Sequence, residues 1–447
     1  MRKSIVLLAL MLLLALATGL VSAQEDVDSV DPSGQTVVYW HQFSQAQEAT
    51  MLGIVDEFNS TNEWGITVEP VPQGSYNDIR DLMGAAIISG ELPNLVAGYA
   101  SDAASYSLDN GAIDLRPYVE SATYGLTEEQ LADINPGILA ANVFADAPFD
   151  GAMLAWAHQN SAQVLVVNET MLAELGFDAA PATFEEFNEI ACAAAEATGP
   201  NGEDLFGFPI TGDSSEVEAL VAARGGSIYA DGAYQFTSEP FIETLQMYQD
   251  QYNAGCYYYP DRPFGNTGDF ALGLNPMAPT STAGFTFIIN DITNAGLEID
   301  WSVNPLPSTE GNRVIQVYVP SIILAPSTPE QQLASWLFLK YLATPEAGAA
   351  WMGGTGYFSP VYSAAELVSE ETMATPALLP YAQATTALLN DPEIKIYTSP
   401  NAVSYGTVRG LVAEAIAAVT TGGEDVATVA EGLQEQATEV QEEGSAG

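Results

Sequence analysis

Two histidines, His41 and His158, and two cysteines, Cys192 and Cys256, are all the chain offers a soft metal. Zinc needs three or four such ligands gathered in one place, so chemistry of that kind lacks its donors. No Gly-x-Ser-x-Gly elbow and no glycine-rich loop ending in Lys-Ser/Thr occurs, and no calcium-loop spacing surrounds Asp109-Asn110-Gly111. No cofactor or metal is expected. Carboxylates are the opposite case. With 58 Asp and Glu, a glycosidase pair can be neither picked out nor dismissed, so a secreted carbohydrate-active enzyme such as a glycoside hydrolase stays open as an alternative.

Cations are scarce, at 10 Lys and Arg against 58 acidic residues, for a net charge of −48. Such a field repels nucleic acid and anionic membranes, and neither is expected as a partner. It also makes each arginine informative. Arg409 shares a helical stretch with Val408, Leu411, Val412 and Ile416. It fits both an arginine snorkelling at the edge of an apolar face and a planar fork offered to a phosphate or carboxylate. Trp40, Tyr99 and Trp156 supply flat apolar faces that suit either a core or a sugar. His41 ends a strand, where cleft residues sit, and a structural histidine fits there as well.

The elements that must position these groups alternate in type. Thr36–Trp40, Ile66–Val71 and Leu95–Tyr99 read as strands, with helical spacing over Gln45–Phe58 and Asn77–Ile88 and a stop at Gly90. This predicts a parallel sheet covered by helices. A second α/β unit opens at Val164–Asn168, with helices over 170–175, 183–197 and 239–253 and a strand over 206–210. Strands are predicted again over 284–289, 299–303 and 314–324, and helices from Pro329 onward, the last fraying at Glu442.

Met1-Arg2-Lys3, an apolar run over Ile5–Leu16 and a small-residue site at Ala23 read as a secretory signal peptide, residues 1–23. No cysteine near Ala23 offers a lipid anchor. Residues 24–35 read as a flexible acidic leader and 443–447 as a disordered tail. Lobe 1 is expected over 36–145 plus about 280–328, and lobe 2 over 146–279 plus about 329–442. Export places Cys192 and Cys256 where disulfides persist, and one bridge closing a loop of about 63 residues is expected, with two separately buried thiols as the alternative.

The run Trp336-Leu337-Phe338-Leu339-Lys340-Tyr341-Leu342-Ala343-Thr344-Pro345-Glu346, with Trp351 and Thr355-Gly356-Tyr357-Phe358-Ser359-Pro360-Val361 after it, resembles extracellular solute-binding proteins. The members in point are the glycerol-3-phosphate-binding and maltose-binding proteins. Tyr39-Trp40-His41, Gln73-Gly74-Ser75-Tyr76, Gly90-Glu91-Leu92-Pro93-Asn94 and Pro181-Ala182-Thr183-Phe184-Glu185-Glu186-Phe187 add to the likeness in the same order. The resemblance implies a type II periplasmic-binding-protein fold, in which two α/β lobes joined by a hinge hold the ligand cleft between them. It implies a monomeric, non-enzymatic capture protein, secreted and periplasmic or at the cell surface, that delivers a sugar or polyol phosphate to an ABC permease in the membrane. A ligand sensor of the same fold is the remaining alternative. By similarity, Tyr76, Ser161, Ser281 and Tyr357 would contact the ligand, and Arg409 stands where the glycerol-3-phosphate-binding members place a phosphate-binding arginine. The family's acidic residue after the third strand is replaced by Ala100, with Asp102 two places on.

Overall fold

The computed structural model describes residues 26–145, 148–200, 202–262 and 264–445. The expected signal peptide lies outside them.

Thr36–His41 (β1) turns Val37, Tyr39 and His41 into the core at period two. Gln45–Thr61 (α1) returns the chain to Thr67–Pro72 (β2), and Tyr76–Ser89 (α2) returns it to Leu95–Gly98 (β3). Helix α2 starts on a capping box. The Ser75 Oγ accepts from the Asp78 amide at 3.3 Å, and the Asp78 carboxylate accepts from the Ser75 amide at 2.7 Å. It ends at Gly90, whose φ of 75° suits a residue without a Cβ. Ala100–Leu108 (α3) follows β3 directly.

The chain then passes through Trp156–Ala157 (β4) into Ser161–Asn168 (β5) and on to helix Ser214–Ala222 (α4). Met277–Ser281 (β6), Phe285–Ala295 (α5), Trp301–Asn304 (β7) and Val314–Tyr318 (β8) come next. Ser321–Leu324 (β9) leads to Pro329–Leu342 (α6) and Pro345–Thr355 (α7). Lys395–Thr398 (β10), Tyr405–Val419 (α8) and Val426–Ser445 (α9) complete the frame.

Two sheets result. The first runs β2-β1-β3-β9-β4, parallel through its first three strands and antiparallel after them. The second runs β6-β5-β8-β10, with β7 also on β5. Strand β5 is buried along its whole length. Leu165 and Val167 face one hydrophobic cluster, and Ala162, Val164 and Val166 face another, as an uninterrupted apolar strand covered on both sides requires.

These pairings move the lobe boundaries. Residues 277–318, expected largely in lobe 1, belong to lobe 2 because β6, β7 and β8 all hydrogen-bond to β5. Trp156 and the helices α6 and α7, expected in lobe 2, pack into the core of lobe 1 through Leu333, Trp336, Phe338 and Trp351. Of that region, β9 alone pairs with a lobe 1 strand, β3. The segment 284–289, read as a strand from its aromatic and branched residues, is the first half of α5. It is stopped at Gly296 with φ 67°, so local helix signals outweighed strand propensity. Residues 26–35 are not a loose leader. Val27 and Val30 enter the lobe 1 core, and the Asp28 carboxylate accepts from the Ser121 hydroxyl at 2.6 Å and the Thr123 amide at 2.9 Å. At the other end α9 runs to Ser445, past the expected fraying point at Glu442.

Cys192, on helix Phe184–Ala195, and Cys256 are joined by a disulfide with a Cα–Cα distance of 4.3 Å. The bond ties that helix to the short parallel pair Phe208–Pro209 and Tyr257–Tyr258.

Candidate ligand cleft between the lobes

A cleft of about 770 Å³ opens where the carboxyl ends of strands from both sheets face each other, the position at which open α/β sheets place their ligands. Lobe 1 contributes Ser75, Tyr76, Asn77 and Arg80 from the start of α2, and Tyr99, Ala100 and Ser101 from the end of β3. The capping box fixes this wall by setting where α2 begins. Tyr76 and Tyr99 lie with ring centroids 5.0 Å apart, and burial pushes the Tyr99 phenol up to about 12 and that of Tyr76 well above its ordinary value. Both therefore stay protonated donors at any physiological pH.

Lobe 2 contributes Thr211, Gly212, Asp213 and Ser214 at the start of α4, and Val317, Tyr318 and Val319 at the end of β8. The tip of β10 adds Thr398–Asn401, and α8 adds Tyr405, Gly406, Arg409 and Gly410. Two glycines one turn apart keep the cleft-side surface of α8 low. Phe264, highly exposed and at φ 57°, stands at the lip.

Both arginines of the cleft are already paired. The Arg80 Nε donates to Asp102 Oδ1 at 2.7 Å and its Nη2 to Oδ2 at 3.3 Å, a two-point contact with a buried carboxylate that also accepts from the Tyr99 amide. The Arg409 Nη2 donates to Asp213 Oδ1 at 2.8 Å, while its Nη1 donates to Ser215 Oγ at 2.7 Å and to the Tyr405 hydroxyl at 3.0 Å. Burial pulls the Arg409 guanidinium down, but Tyr405, Asp213 and Glu218 together outweigh it and hold the group above its ordinary value. Asp213 has a second task, since its carboxylate caps α4 by accepting from the Ser215 amide at 2.8 Å.

The cleft thus gathers three of the expected residues, Tyr76, Tyr99 and Arg409. The other five do not line it. His41 is buried in lobe 1, its Nδ1 accepting from the Phe43 amide at 3.2 Å and its ring stacked on Phe43. Trp40 packs on the lobe 1 core. Ser161 is buried at the start of β5, paired with Tyr318. Ser281 caps the turn after β6 by accepting from the Ala283 amide. Tyr357 packs on Trp351, with ring centroids 5.7 Å apart. Asp102, the possible substitute for the acid missing at Ala100, is held by Arg80 behind the wall. Trp156 is core.

The sequence reading missed Asp213, Tyr318, Ser399 and Tyr405. Asp213-Ser214-Ser215 ahead of an apolar run is an N-cap signature that marks a helix start. Nothing local marks Ser399, because it reaches the cleft through the parallel pairing of β10 with β8, 81 residues earlier.

Among the described residues no group of His, Cys, Asp and Glu could hold a metal ion, and no helix is long and apolar enough to cross a membrane.

By sequence, no curated protein matches the chain, whereas the profile of the bacterial extracellular solute-binding proteins matches residues 53–380. By fold, it is similar to UgpB from Mycobacterium tuberculosis, solved with glycerophosphocholine. The TM-score is 0.76 and the identity 17%, over 91% of this chain and 98% of that one. It is also similar to the GacH receptor of Streptomyces glaucescens, solved with acarbose (TM-score 0.74, 14% identity, 91% and 98% covered). A third likeness is to an ABC substrate-binding protein from Listeria monocytogenes in complex with cycloalternan (TM-score 0.73, 16% identity, 91% and 98% covered). Two α/β lobes closing a tyrosine-lined cleft, with three-quarters of the chain matching one profile, have a single reading: the chain belongs to the bacterial extracellular solute-binding proteins, which bind a solute and do no chemistry on it.

Proposed function

We propose that the cleft captures a neutral carbohydrate, an oligosaccharide of a few rings, and that the closed protein presents it to the membrane permease of an ABC importer. One observation carries this reading: both arginines that reach the cleft are matched by a carboxylate of their own lobe, Arg80 by Asp102 and Arg409 by Asp213. A phosphate ester would have to displace Asp213 and enter a molecule of net charge −48 against long-range repulsion. A neutral sugar meets no such barrier. Tyr76, Tyr99, Tyr318 and Tyr405 offer it ring faces and hydroxyls, with Ser75, Asn77, Thr398 and Asn401 as further polar partners.

Capture needs only hinge motion. The chain passes between the two cores at His158–Asn160, at Val319–Pro320 and beyond Ala364, and these crossing segments are where a hinge would bend. Each protein copy carries a complete cleft, which supports action as a monomer, and membership of the extracellular solute-binding family supports a place outside the cell, in the periplasm or at the cell surface.

A thermal-shift screen over neutral mono- to tetrasaccharides, polyols and their phosphates tests the reading. A neutral oligosaccharide should raise the melting temperature, by about 2.7 kcal/mol of stabilisation at a hundredfold excess over Kd. Stabilisation by phosphate esters alone would refute it.

A further inference from the structure

Behind the cleft wall of lobe 2 lies a carboxylate that capture as described does not use. Glu218 sits on α4, 1% exposed, inside a helix whose other residues are also buried. An unpaired charge in such a place is costly, yet this one is densely satisfied. Its Oε2 accepts from Gln316 Nε2 at 2.8 Å and from Ser399 Oγ at 3.0 Å. Its Oε1 accepts a short hydrogen bond from the Tyr405 hydroxyl. Apart from Ser214 on α4 itself, whose Oγ donates to Oε1 at 3.5 Å, the donors come from β8, from the loop after β10 and from α8, segments that form the far wall of the cleft. Ser399 and Tyr405 themselves face the cleft, and the Tyr405 hydroxyl accepts from Arg409 at 3.0 Å.

We propose that Glu218 is a positioning residue that makes solute capture proton-linked: ionised, it clamps Tyr405 and Ser399 into the binding wall, and protonated, it releases one of them. A carboxylate only accepts, and here two oxygens meet four donors, the fourth being Ser214 Oγ at 3.5 Å from Oε1. A carboxylic acid must donate from one oxygen, while Tyr405, already accepting from Arg409, still carries its own proton to place. One donor is therefore left over, and the nearest alternative acceptor for Tyr405 is Ser399 Oγ at 3.1 Å. That shift changes the wall that the sugar touches.

Burial holds the Glu218 carboxyl up to about 7 against the pull of Arg409 and the hydrogen bonds of Tyr405 and Ser399, which puts the change within a biological pH range. The groups facing it are Asp213 and Glu216 on its own side, Tyr405 and Arg409 from α8, Tyr397 from β10, and Tyr234. Of these, only Glu216 is also raised into the same range, again by burial. It bonds instead to Thr211 at 2.6 Å and Tyr248 at 2.5 Å.

This inference rests on the cleft being the capture site, so its test has an arm that needs no ligand. Hydrogen exchange of the ligand-free protein over Ser399–Arg409, corrected for intrinsic rate, should lose about tenfold protection between about pH 8 and about pH 5.5. Glu218→Gln, which keeps the shape of the acid form, should show the low protection at both pH values. Tyr405→Phe leaves the carboxyl intact but removes its link to Arg409, and should flatten the pH profile as well. In the binding arm, a neutral maltodextrin mixture should bind about tenfold more weakly at the lower pH in the wild type, with no such change in Glu218→Gln. Protection independent of pH in the wild type overturns the proposal, and so does a pH slope that survives in Glu218→Gln, which would assign the linkage to Glu216. If maltodextrins fail to bind, the carbohydrate reading fails for that class, and the exchange arm judges Glu218 by itself.

Discussion

Arg409 Nη2 stands 2.8 Å from Asp213 Oδ1, the arginine on α8 and the aspartate capping α4, so the cleft's strongest anion-binding group is satisfied inside its own lobe. The pair also joins two helices that the sequence separates by almost 200 residues. Its side chains remain partly exposed, at 33% and 46%, so the pair contributes modestly to stability and mainly sets the charge that a ligand meets.

Removing the aspartate should change what binds. In Asp213→Asn the guanidinium loses its internal counter-charge, and affinity for a phosphate ester should rise more than about tenfold, while a neutral oligosaccharide changes by a few-fold at most. Arg409→Ala should cost a neutral ligand about 1 to 3 kcal/mol, the loss of one or two hydrogen bonds. Calorimetry on both variants checks the two expectations, and an unchanged ligand preference in Asp213→Asn counts against the pairing argument.

Stability should depend on pH in the direction set by two buried acids. Burial raises Glu216 and Glu218 to about 7 each, above the ordinary carboxylate value. Between that value and about 7 the folded protein holds protons that the unfolded chain gives up. Their stabilising contribution is therefore complete only below the ordinary carboxylate value and is lost progressively as pH rises from there through about 7. The melting temperature at about pH 6 should exceed that at about pH 8, and Glu216→Gln with Glu218→Gln should reduce the difference. A melting temperature that climbs steadily from pH 6 to pH 8 would contradict this.

Gly207 is the tightest backbone approach in lobe 2. A Cβ there would lie 1.8 Å from the Cys256 carbonyl oxygen and 2.6 Å from that of Ala191, both backbone atoms braced by the disulfide. Gly207→Ala should destabilise the protein by about 3 kcal/mol or more. Reducing the disulfide should cost about 2 to 4 kcal/mol. Denaturant melts of the variant and of the reduced protein measure both, and a Gly207→Ala midpoint equal to wild type would show that this packing is wrong.

Much of lobe 1 was legible because its signals are local. The apolar run Thr36–Trp40, the helical spacing over Asn77–Ile88 and the Gly90 stop each act within a few residues, and they frame the wall that holds Tyr76 and Tyr99. Lobe 2 was less legible because β5 recruits partners from residues 277–318, and β8 a further one from 395–398, pairings with no local signature. The lobe boundaries failed for the same reason. Arg409 stood out because cations are rare here, whereas its partner Asp213 is one acid among 58. Glu216 and Glu218 lie in Ser214–Ala222, a helix the sequence reading did not pick out, and nothing local marked them as buried.

Whether the cleft takes an uncharged sugar is decided by titration calorimetry on the wild-type protein. Neutral di- to tetrasaccharides would be compared with glycerol 3-phosphate and glycerophosphodiesters at about 20 mM and about 500 mM salt. A neutral oligosaccharide should bind with a Kd that shifts less than about threefold between the two conditions, and the phosphate esters should bind weakly or not at all. Tight binding of a phosphate ester that strengthens with salt, with no neutral oligosaccharide bound, would contradict the account.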